Sequence, residues 1–83
     1  MKNEELEALR NKINLIDDEI LKLLSNRSKV VLDIGKHKNE DTVVDLEREQ
    51  KVLDRLLNKS DGYYSKDTIV RLWREIFQSS EKL

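Results

Sequence analysis

Hydrophobic positions step along the first part of the chain by alternating threes and fours: Leu6, Leu9, Ile13, Ile16, Ile20, Leu23, Arg27, Val30 and Ile34. This is the seam of an amphipathic helix, kept up for about four heptads. Leu15, Leu24 and Val31 widen it into a stripe that can be covered from two sides. Asn3 is the expected N-cap, with Glu4 and Glu5 in the first turn, where the helix dipole favours negative charge. Before Asn39 only Gly35 interrupts, and a single glycine weakens a helix by about 1 kcal/mol relative to alanine. The pattern predicts a rod of roughly 35 residues and ~50 Å.

The polar run Asn39-Glu40-Asp41-Thr42 reads as a loop. Asp45 is a candidate N-cap for a second helix reaching about Leu57, with Glu47 and Glu49 in its first turn. Its apolar face is Leu46, Val52, Leu53, Leu56 and Leu57. Asn58 to Tyr64 contains Gly62 and reads as a turn. Ser65 then caps a third helix whose core face is Ile69, Leu72, Trp73, Ile76 and Phe77, and Ser80 falls one turn beyond Ile76 on that stripe. Strand-like alternation and proline are absent. The expected fold is all-α: one very long and two short helices in a single domain, 1–83. A domain of this size is only about 25–30 Å across, so the rod overhangs what its own chain can supply. A second copy of the chain, forming a homodimer, is the economical cover.

Arg27 changes this picture, because it is the one charged member of the first seam. A guanidinium stays protonated, and removing it from water unpaired costs several kcal/mol. Two readings stay open: a structural ion pair or an arginine snorkelling to the surface, and a seam that opens around an anion. The formal net charge of −1 argues against a general nucleic-acid binder. No cysteine is present, which removes disulfide and thiol chemistry. No apolar stretch follows the N-terminus that would serve as a signal or membrane segment, and the expected location is the cytoplasm.

On an ideal helix Arg27 and Lys38 differ by only about 20° in azimuth and ~16 Å in rise, so both can converge on a small molecule between them. Arg10 precedes Arg27 by about 25 Å along a straight rod. If it joins the same site it must come from the partner chain. Arg48 and Glu49 can cover a ligand from another side. Arginine and lysine in a desolvated pocket suit carboxylates or phosphates. No glycine-rich nucleotide loop or metal-ligand cluster is visible, and the lone histidine, His37, reads as an exposed residue at a helix end. No base-and-nucleophile pair points to hydrolysis. Taken singly, each member has a plain alternative. Arg10 can pair with Glu7 or Asn14 on the surface, Arg48 can be an ordinary i,i+4 partner, and Ser80 can be a small residue at a fraying end.

Leu9-Arg10-Asn11-Lys12-Ile13, Ile16-Asp17, Leu23-Leu24-Ser25-Asn26-Arg27 and Gly35-Lys36-His37-Lys38 together resemble the long first helix of the all-helical chorismate mutases. Asp45-Leu46-Glu47-Arg48-Glu49 is similar to the start of that family's second helix, and Ile69 to Ser80 to its third. The resemblance implies an intertwined homodimer with two shared active sites and a small dianionic substrate. It implies an isomerase that converts chorismate to prephenate in phenylalanine and tyrosine biosynthesis, without metal or cofactor. Arg10, borrowed from the partner, would grip one substrate carboxylate and Arg27 the other. Lys38 would donate to the ether oxygen and a nearby carboxylate. Asp45 and Arg48 would line the polar wall around the ring hydroxyl, Glu49 would accept that hydroxyl's hydrogen bond, and Ser80 would contact a carboxylate.

Two departures from the family pattern carry expectations. The connection from Lys38 to Asp45 is shorter than in many relatives, so the lid over the site is expected to differ. The family usually has a Gln or Glu one turn after the serine, here position 84, beyond Leu83. The resemblance then implies weak activity, a substitute group, or a piece cut from a longer protein. Two rivals use the same features: an isochorismate–pyruvate lyase of the same fold, and a helical dimerisation or regulatory module that binds without turnover.

Overall fold

The computed structural model describes residues 2–37 and 45–83. They form three helices: α1 (Asn3–Gly35), α2 (Leu46–Lys59) and α3 (Lys66–Glu81). No strand occurs among the described residues, and the all-α expectation holds. Lys38 and the expected loop Asn39-Glu40-Asp41-Thr42 lie outside the described residues. The chain divides into two compact units, Met1–Asp33 and Ile34–Leu83.

The first unit is the body of α1, which runs unbroken for 33 residues, or about 50 Å. Both of its ends differ from expectation. Asn3 is the first helical residue and not the cap, because the Leu6 N–H donates to the Lys2 carbonyl at 3.1 Å. Lys2 therefore stands in the cap position without a capping side chain. At the other end the helix stops at Gly35 and does not continue toward Asn39. Glycine loses more backbone freedom in a helix than any other residue. The His37 N–H turns back to the Ile34 carbonyl at 3.0 Å, tightening the exit.

α1 contains no buried residue. Its seam is apolar but open: Ile13 is 58% exposed, Ile20 50% and Leu23 61%.

The second unit holds the core. Asp45 caps α2 as expected, its Oδ1 accepting the Arg48 N–H at 3.0 Å. Ser65 caps α3, its Oγ accepting the Thr68 N–H at 3.2 Å. Between them the Gly62 N–H donates to Ser60 Oγ and the Tyr63 N–H to Asp61 Oδ1. Gly62 has φ +90°, a conformation that side chains with a Cβ rarely adopt. This short connection folds α3 back along α2, and Val52, Leu53 and Phe77 close into a buried cluster with Leu56, Val70 and Trp73 packed on it. Burying a side chain of this size contributes about 1.5–3 kcal/mol. Ile69 is also buried, whereas Leu46 and Leu72, expected on the core faces, are 72% and 47% exposed.

Candidate active site

The site residues fall on three stretches of backbone, each set by local rules. On α1, Arg10 and Arg27 share one rod, separated by about 25 Å of rise. Arg10 Nη1 reaches Glu7 Oε1 at 3.3 Å, with both side chains 64% exposed. Such a surface pair is worth about 0–1 kcal/mol, so it leaves Arg10 available to a stronger anionic partner. Arg27 is different. Among the described residues it is the one Lys or Arg that is not exposed, although it stands in the middle of a helix without a buried residue.

At the start of α2 the cap places Asp45, Arg48 and Glu49 within one turn. Asp45 holds two backbone amides at once: its carboxylate takes the Arg48 N–H at 3.0 Å, and its carbonyl takes the Glu49 N–H, also at 3.0 Å. Glu49 is the one Asp or Glu among the described residues that is not exposed. The two charged side chains withdrawn from solvent are thus both residues that the sequence assigned to the site.

Ser80 lies in the last turn of α3, half-buried between exposed neighbours, and its hydroxyl donates to the Ile76 carbonyl at 2.8 Å. To donate to any other acceptor it must rotate away from that carbonyl. Since α3 runs back along α2, Ser80, one turn past Phe77, and Glu49, one turn before Val52 and Leu53, stand at the same end of this hairpin. The second unit therefore brings Asp45, Arg48, Glu49 and Ser80 to one end. α1 ends at Gly35, and Lys38 lies outside the described residues. His37 is exposed, as expected.

One polar residue was not singled out from the sequence. Ser28, next to Arg27, is half-buried, with its hydroxyl donating to the Leu24 carbonyl at 3.1 Å. A serine in mid-helix often bonds back in this way. Among the described residues no group of three His, Cys, Asp or Glu side chains is placed to hold a metal ion, and no helix is long and apolar enough to cross a membrane.

The family model for chorismate mutase type II matches residues 9–83. This chain belongs to that family. A chorismate mutase from Thermus thermophilus has the same fold, with a TM-score of 0.85 and 35% identity over 92% of this chain and 98% of that one. The bifunctional chorismate mutase/prephenate dehydratase of Aquifex aeolicus is 35% identical over 92% of this chain. Its Escherichia coli counterpart is 33% identical over 88%. The chain spans only 23% and 20% of these two relatives' lengths. The family match crosses the boundary between the two units without a break, and it includes Arg10, Arg27, Asp45, Arg48, Glu49 and Ser80.

Proposed function

We propose that this chain is a chorismate mutase, an isomerase that rearranges chorismate to prephenate in the route to phenylalanine and tyrosine. The observation that carries the reading is the match to the Thermus thermophilus mutase, which this chain covers over 98% of its length. The family match from 9 to 83 supports treating 1–83 as one functional domain.

The reaction is a pericyclic Claisen rearrangement. The ether C–O bond breaks as a C–C bond forms between the ends of the two allylic fragments, with no proton, electron or group taken from the protein. What a protein can add is order and charge. Holding the substrate dianion in its compact form removes the entropy cost of reaching the reactive geometry. Donors preset toward the ether oxygen meet negative charge that grows only as the bond breaks, and one such donor is worth about 2.7–4 kcal/mol. In the proposed site Arg27 of one chain and Arg10 of the partner grip the two carboxylates, each by a bidentate fork. Lys38 faces the ether oxygen, Arg48 and Glu49 take the ring hydroxyl, and Ser80 adds a carboxylate contact.

The homodimer belongs to this reading. It is supported by the open apolar seam of α1 and by the distance between Arg10 and Arg27, which puts them beyond the reach of one small ligand on a single rod. A cytoplasmic location follows from the biosynthetic role.

The test is a progress curve with purified chain, chorismate and isochorismate assayed side by side. Prephenate forming well above the spontaneous rate is expected. Pyruvate release from isochorismate without prephenate formation would replace the mutase with a lyase, and turnover of neither would leave a binding module.

A further inference from the structure

The family resemblance assigns Asp45 to the polar wall that meets the substrate, but one oxygen of its carboxylate is engaged by the Arg48 amide. We infer that Asp45 is a positioning residue, which sets Arg48 and Glu49 through the N-cap of α2 and does not act by binding substrate itself. The inference rests on the mutase reading above and goes beyond it.

Two observations carry it. Asp45 Oδ1 takes the Arg48 N–H at 3.0 Å, and this side-chain cap stands beside the first main-chain bond of the helix, from the Glu49 N–H to the Asp45 carbonyl, also at 3.0 Å, which any residue at 45 would make. Arg48 and Glu49 are the two residues whose side chains are proposed to take the ring hydroxyl. In addition, among the described residues burial does little to pin this turn, in which Glu49 alone is half-buried. Leu46 is 72% exposed, Glu47 and Arg48 are exposed, and the first buried residue of α2 is Val52. The first turn of α2 is therefore held by hydrogen bonds, whereas the rest of the helix is held by its core face. Loss of the cap frays that turn and lets the Arg48 and Glu49 side chains wander, while Val52, Leu53 and Phe77 keep the hairpin folded.

Cap chemistry and ligand chemistry make opposite demands on the side chain at 45. A cap needs a short side chain with an acceptor oxygen, and Asp, Asn and Ser serve almost equally. A carboxylate that binds substrate needs its charge, which Asn and Ser lack.

The experiment measures kcat/KM for chorismate in Asp45→Ala, Asp45→Asn and Asp45→Ser, with thermal midpoints recorded in parallel. The expected result is a loss of about three- to fivefold for Asp45→Ala, the scale of one lost cap, and values within about twofold of wild type for Asn and Ser. In a Glu49→Gln background, Asp45→Ala should cost less than it does alone, since part of its effect passes through Glu49. A purely structural role would lower the thermal midpoint yet leave the two losses multiplicative. An active wild type in which Asn and Ser are as damaged as Ala, or in which Ala is harmless, overturns the positioning role alone. A wild-type chain without activity overturns the mutase reading and this inference with it.

Discussion

Arg10 and Arg27 stand on one unbroken helix, 17 residues apart, with about 25 Å of rise between them. A rigid rod of that length cannot deliver both guanidinium groups to a molecule the size of a small dicarboxylate. Any site that uses both must be assembled from two chains.

Arg10→Ala and Arg27→Ala should each lose about 100-fold or more in kcat/KM, yet restore one another when mixed. In a mixed dimer one site carries both defects and the other neither. Random exchange of equal amounts should return about a quarter of the wild-type sites, since half of the dimers in a two-fold assembly are then mixed. Co-refolded mixtures that stay inactive would mean that both arginines serve one chain or neither serves catalysis.

Association should be obligatory for the fold. The exposed seam of α1 predicts that helicity and activity fall together on dilution toward nanomolar protein. Sedimentation equilibrium and far-ultraviolet circular dichroism over the same range check this. A cooperative, folded monomer would remove both the dimer and the shared site.

Lys38→Ala should lower kcat more than it raises KM, because its ammonium would face charge present only in the transition state. The expected cost is ~3–4 kcal/mol. An unchanged kcat with a raised KM would make Lys38 a carboxylate anchor.

The two glycines should respond to alanine with opposite signs. A Cβ at either position meets no heavy atom of the described residues within 4 Å, so packing among them does not decide the outcome. Gly62 holds φ +90°, and Gly62→Ala should destabilise by about 1–2 kcal/mol. Gly35 is helical without a positive φ, and Gly35→Ala should stabilise by ~0.4–1 kcal/mol through the unfolded chain. Thermal unfolding of both variants at equal protein concentration checks the pair.

What the sequence disclosed followed the range of the forces involved. Asp45 and Ser65 were legible as caps because a cap is a contact between residues three apart. Val52, Leu53, Ile69 and Phe77 were legible because helical periodicity marks one face. The limits of α1 were less so. An asparagine in front of two glutamates has the pattern of a cap, yet Lys2 takes that position, and the cost of Gly35 sufficed to end a helix whose last turn has little packing to hold it. Leu46 and Leu72 carry the same apolar signal as Val52 and Phe77, and their exposure depends on where the facing helix lies. Val70 joined the core for the same reason, unannounced by the stripe. Among the site residues, the placement of Arg27 in an apolar seam was visible as an anomaly, and its partial withdrawal from water agrees with that. Glu49 carried a weaker mark, its place beside Arg48 in the first turn of α2, and only the family pattern gave it a role.

The absence of buried residues in α1 bears on how such a chain can evolve. In a two-fold pair every substitution on the seam appears twice across the same axis, so a change worth about 0.5 kcal/mol per chain weighs ~1 kcal/mol on the assembly. In the proposed dimer the hairpin can drift by ordinary core substitutions within one chain, whereas the seam of the long helix would be tuned against its own copy. Selection on the stripe from Leu9 to Ile34 would then be selection for self-recognition, and a diverging duplicate of the gene would part company with its parent there first.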